Sequence, residues 1–185
     1  MTKVDRRILK SQEAIKKAVL ELLSEKNFDR ITIQDIANRA NVSRRTIYLH
    51  YTDKCDLMDH LLDTHIVKLR EIRESATQLS MKEVYFQWFE YFEKNFLFFS
   101  TILASQGASW FRNRLLEFFV QEAVKDLKKY GTKHQELCPE VVLQFFGSAS
   151  VGMIEWWLVN KMPLSPQLIA EQVGKLLDRM EICNH

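Results

Sequence analysis

The sequence predicts an all-α protein, and three observations carry that prediction. Breakers are scarce: the 185 residues include five Gly and three Pro, and Pro139, Pro163 and Pro166 all fall late, so long tracts run uninterrupted. Within those tracts apolar residues recur three and four apart, the period of a helix with one buried face. Hydroxyl side chains that suit helix starts, Thr32, Ser43 and Ser165, stand just ahead of such patterns. The expected architecture is a three-helix head over residues 1–52, two of its helices joined by a sharp turn, and a helical body of about six helices over residues 53–185.

The first helix is expected over residues 5–25, with Ile8, Ile15, Ala18, Val19, Leu22 and Leu23 on one face. Arg6, Arg7 and Lys10 at its start suit either phosphate, as basic arms do, or plain solvent. Phe28 is a core anchor at the turn into the second helix. Thr32 caps that helix with Asp35 three residues on, and Ile33, Ile36, Ala37 and Ala40 share its inner face. Asn41 sits at the turn, where a positive backbone angle costs Asn less than most residues. Ser43 caps the third helix. Ile47 and Tyr51 point inward, and Arg44, Arg45, Thr46, Tyr48 and Leu49 divide between groove and flank.

Two arginines and a threonine in the first turn of such a helix suit DNA base edges. Arg offers a rigid fork to guanine O6 and N7, Thr a hydroxyl and a methyl, so Arg44, Arg45 and Thr46 are the expected base contacts. Charge agrees with that placement: residues 1–54 hold 12 Lys and Arg against 7 Asp and Glu, while the rest is slightly acidic.

The order of residues from Thr32 to Lys54, TIQDIANRANVSRRTIYLHYTDK, resembles the DNA-binding domain of the TetR family of bacterial transcriptional regulators. The resemblance implies phosphate contacts from Thr32, Ser43, Tyr48, His50 and Lys54. Asn41 departs from the family's commoner Gly and tolerates the same conformation.

In the body, Asp53 or Thr52 caps a fourth helix whose stripe is Leu57, Leu61, Leu62, Ile66, Leu69 and Ile72. Asp56, His60 and Asp63 share a face there; first-turn acids are favoured by the helix dipole, and no metal is expected. The segment from Met81 to Ser105 is densely aromatic. Its rings either pack as core or line a cavity for an apolar or aromatic small-molecule effector, for which Trp88, Tyr91, Phe92, Trp110 and Trp156 are the candidates. A long helix from about Ser109 carries Phe111, Leu115, Phe118, Phe119 and Leu127 to a stop at Gly131, before a loop over residues 133–138. Two last helices begin near Pro139 and Pro166; the second carries Leu168, Ile169, Val173, Leu176, Leu177 and Met180. Small residues between large ones suggest an interface, so a homodimer is expected through Phe145, Ser148, Ala149, Gly152, Trp156, Leu168, Val173 and Leu176. The stretch GMIEWWLVNKMPLSPQLIAEQV also resembles the C-terminal domain found with TetR heads in many Gram-positive bacteria.

Function classes narrow accordingly. There is no nucleophile elbow, phosphate-cradling glycine loop or zinc spacing, so neither an enzyme nor a cofactor is expected. Cys55, Cys138 and Cys183 lack paired spacing. No stretch is expected to reach the ~18–20 apolar residues of a membrane span, and a cytoplasmic protein is anticipated. The expectation is a homodimeric regulator on a palindromic double-stranded operator, a repressor released by its effector, or else an activator or co-regulator controlled by a protein partner.

Overall fold

The computed structural model describes residues 3–75, 80–105, 108–130 and 137–179. The expected positions Gly131, residues 133–136, Met180 and Cys183 lie outside them, as do the side chains of Arg6, Arg7, Leu127 and Leu177. The described residues form helices without strands: α1 (Lys3–Glu25), a 3-10 turn (Phe28–Arg30), α2 (Ile33–Ala40) and α3 (Arg44–Tyr48) make the head. The body consists of α4 (Lys54–Ser75), α5 (Met81–Lys94), α6 (Phe96–Leu103), α7 (Ala108–Tyr130), α8 (Pro139–Val159) and α9 (Pro166–Arg179).

Each start has a local cause. Ser80 and Glu83 form a reciprocal capping box at α5. Asp53 accepts from the backbone N–H groups of Cys55 and Asp56 at 2.7 and 2.9 Å, which decides between the two expected caps of α4. After α8 the chain reverses through two left-handed residues, Lys161 (φ 58) and Met162 (φ 55). Trp157 Nε1 donates to the carbonyl of Leu164 at 2.8 Å and ties that turn down.

The core is continuous from head to body. Ile15, Ala18, Val19 and Leu22 of α1 are buried with Ile36, Ala37 and Ile47, and α1 also packs on α6. Ile8 departs from expectation, being 42% exposed, whereas Ile15 two turns on is fully buried. α5 lies along α9 and α7 along α8. The aromatic segment packs ring on ring: Trp88 meets Phe118 and Phe119 at 5.7 and 5.4 Å, Phe89 meets Trp157 at 5.2 Å, and Phe92 meets Phe99 at 4.8 Å. Such edge-on pairs each add about 1 kcal/mol beyond the area they bury. Trp88 also donates from Nε1 to the Leu69 carbonyl at 2.9 Å, anchoring α5 to α4.

Three expectations are corrected here. Trp156 cannot share a cavity with buried Trp88 and Phe92: it is 43% exposed on the outer side of α8, while its neighbour Trp157 turns inward. Consecutive helical residues point about 100° apart, so on α8 Trp157 and Leu158 share the buried side while Trp156 falls outside it. Val173 is buried beside Ile169 and Ala170 on the inner side of α9 and so is not part of an outer face. Thirdly, α8 is long and apolar enough to cross a membrane by length and composition, with mean hydropathy 1.3 over its most apolar window. In this fold one side of it packs on α7, and its Glu155 takes Arg112 of α7 in a bidentate pair with Nε–Oε2 at 2.7 Å.

Candidate nucleic-acid interface

The head's geometry follows from residues three and four apart. Thr32 Oγ1 accepts from Asp35 N at 3.1 Å, and the Asp35 carboxylate accepts from Thr32 N at 2.8 Å, closing a capping box at the start of α2. At the other end Asn41 adopts φ 52, ψ 46, the left-handed conformation that turns the chain, and Val42 N donates back to Ala37 O at 3.0 Å. Ser43 then caps α3, accepting from Thr46 N at 3.0 Å. Ile47 and Tyr51 are buried, which fixes the roll of α3 and turns Arg44, Arg45, Tyr48 and Leu49 outward.

Ion pairs clamp α2 against α1. Arg39 makes a bidentate pair with Glu25 at 2.8 and 2.7 Å and reaches Glu21 at 3.4 Å. Lys26 pairs with Asp35 at 2.8 Å. That ammonium, together with the Thr32 N–H and hydroxyl, holds the Asp35 carboxyl far below the usual carboxylate range. Sequence spacing did not reveal these pairs, because α1 and α2 meet only after the chain has turned.

The expected contacts fare differently. Arg44 and Arg45 are exposed, and no carboxylate pairs either of them among the described residues. Arg44 leans on Tyr48, with Nη2 3.4 Å from the phenol oxygen and the guanidinium 5.8 Å from the ring centre. Ser43 and Thr46 join hydroxyls at 2.9 Å, an arrangement that uses one of their two hydroxyl hydrogens and leaves the other for an outside acceptor. His50 is half-buried beside Tyr51.

Two expected phosphate contacts are otherwise employed. Lys54 Nζ donates to the carbonyls of Phe28, Asp29 and Ile31 at 3.1, 3.0 and 3.0 Å, and it lies 4.8 Å from the centre of the Phe28 ring. An ammonium has three hydrogens, and all are taken. Thr32 gives both its backbone N–H and its hydroxyl hydrogen to Asp35, at 2.8 Å each, so it has no donor left for a phosphate. The Asp56, His60 and Asp63 face of α4, where no metal is expected, is engaged within the fold: Asp56 accepts from Thr52 N at 2.7 Å and faces His60, and Asp63 pairs with Arg114 of α7.

The turn, the capped short helix and its outward cations together define a helix-turn-helix regulator. Family models match both parts: "Bacterial regulatory proteins, tetR family" over residues 15–61, and "Transcriptional regulator C-terminal region" over residues 80–179. The chain belongs to the TetR family of bacterial transcriptional regulators, whose members are not enzymes. It is 26% identical over 186 residues to YxbF, an uncharacterised HTH-type transcriptional regulator of Bacillus subtilis (strain 168). That alignment takes in 95% of this chain and 46% of YxbF, so the chain spans about half the length of that relative. A TetR transcriptional regulator from Streptococcus agalactiae 2603V superposes with TM-score 0.69 at 25% identity, covering 94% of this chain and 96% of that one. NalD, the secondary repressor of the MexAB-OprM multidrug efflux pump in Pseudomonas aeruginosa, superposes with TM-score 0.76 at 18% identity over 94% and 96%, a likeness of fold.

Proposed function

We propose that this chain is a sequence-specific regulator of transcription that binds a palindromic double-stranded operator as a homodimer, and that it represses until a small-molecule effector releases it. The observation that carries the reading is the sorting of cations in the head. Lys26, Arg39 and Lys54 are committed to partners within the fold, whereas Arg44 and Arg45 stand exposed on α3. Arg44, Arg45 and Thr46 contact bases in the major groove, and Ser43, Tyr48 and His50 contact phosphates on its flank.

Pairing is supported by the outer side of α8. Val141, Phe145, Ser148, Ala149, Gly152 and Trp156 form a continuous exposed stripe along it, and a Cβ built on Gly152 meets nothing within 4 Å. Leu168 and Leu176 are exposed on α9. Two copies packed there would form an isologous four-helix bundle and set the two recognition helices one DNA turn apart, about 34–36 Å. Repression is the sign typical of the family. A second reading, control through a protein partner without an effector, is favoured by the dense ring packing around Trp88 and Phe92.

The test is selection of genomic fragments by the purified protein at stated salt, with an Arg44→Ala, Arg45→Ala variant as control. A recovered palindrome that the variant does not bind supports the reading. A palindrome bound equally by the variant overturns the assigned contacts.

A further inference from the structure

The Leu49 side chain takes no part in the hydrophobic core. It follows the last residue of α3, keeps helical angles (φ −72, ψ −20), and is 72% exposed, more than any other large apolar side chain described. Its direction follows from the helix itself. With about 100° per residue, Ile47, fully buried, fixes the inward side, and Arg45 and Leu49 each fall about 20° from the opposite line. Arg44 and Tyr48 lie nearer the flanks, where they pair with each other. The crest of α3 is therefore a cation and a bare isobutyl group, one turn apart.

A crest that enters the major groove meets base edges, and among these the thymine C5 methyl is the apolar group. We infer that Leu49 is a specificity-determining residue of the operator complex, packing against a thymine methyl in each half-site beside the base that Arg45 reads. The inference rests on the DNA-binding reading above. It places the thymine about one helical turn along α3 from the Arg45 contact. Leu49 offers neither donor nor acceptor, so it favours thymine through apolar contact alone.

The test replaces each thymine of the selected operator duplex, singly and symmetrically in both half-sites, with deoxyuridine, which pairs identically and lacks only the methyl. Binding is measured for the wild type, Leu49→Ala and Leu49→Met at one salt concentration. One thymine per half-site is expected to matter, its loss weakening the wild type and Leu49→Met about fourfold per methyl. Leu49→Ala should be insensitive at that position. Indifference of the wild type to every replacement, or an equal penalty in Leu49→Ala, would overturn the inference while leaving the regulator reading intact. A uniform weakening by Leu49→Ala on all duplexes, with methyl sensitivity unchanged, would mean that Leu49 touches sugar or backbone and would also overturn it. Failure of the wild type to bind any selected duplex would overturn the DNA-binding reading, and this inference with it. Because Leu49 is exposed, the variants retain the fold, checked by matching far-ultraviolet circular dichroism.

Discussion

His65 Nδ1 and Tyr91 Oη stand 2.7 Å apart, joining α4 to α5 within the aromatic layer. The imidazole stacks on Phe98 at 4.2 Å, and burial, with Lys16 nearby, lowers its pKa to about 4. Burial, with a smaller effect from Glu71, raises Tyr91 to about 12. A protonated phenol thus faces a neutral imidazole on the helix that connects head to body.

This depressed pKa makes stability depend on acid. His65 titrates near 6.5 when unfolded and about 4 when folded, so between those values the unfolded chain binds more protons. Its contribution is complete above pH 6.5 and is lost as pH falls toward 4. Urea unfolding should show about 2 kcal/mol less stability from this group at pH 5 than at pH 7.5. His65→Phe, which keeps a ring in the stack, should flatten that difference. An unchanged pH dependence in the variant would disprove the assignment.

Lys54 should behave as a clamp. Lys54→Met leaves three carbonyls of the Phe28 turn without their charged donor, and thermal or urea denaturation should register a loss of about 2 kcal/mol or more. Under conditions where the variant is folded, the salt dependence of its DNA binding should match the wild type. A slope shallower by about one ion per protomer would instead mark a phosphate contact.

The outer stripe of α8 gives a separable prediction. Phe145→Glu sets a carboxylate in the centre of the proposed pairing face, and sedimentation should show at least about a tenfold weaker dimer with unchanged helicity. A dimer as tight as the wild type would place the interface elsewhere.

Two glycines of α8 should respond oppositely in the Phe145→Glu background. A Cβ at Gly147 would stand 2.8 Å from Leu116 Cδ1 and 2.9 Å from Val120 Cγ2, whereas Gly152 has open space. Gly152→Ala should gain up to about 1 kcal/mol from helix propensity. Gly147→Leu, forced between α7 and α8, should lose about 2 kcal/mol or more by overpacking. Denaturant midpoints of the two variants lying on the same side of the parent would contradict this account.

What the sequence determined by itself was local. The caps Thr32 and Ser43, the left-handed Asn41, inward Ile47 and the stripe of α4 all act over one turn of helix, so their residues and spacing lie side by side in the chain. The helix-turn-helix and the outward placing of Arg44 and Arg45 were legible for that reason. Partner choice was not. Lys54 finds carbonyls 23 to 26 residues away, Arg39 finds Glu25 on another helix, and a long flexible charge reads the same in sequence whether it meets phosphate, carboxylate or carbonyl. The body shows the same division. Its aromatic richness was plain, but Trp156 outward with Trp157 inward, and Val173 turned into the core, were settled by where α7 and α5 lie against α8 and α9, because the roll of a broadly apolar helix is decided by its neighbours.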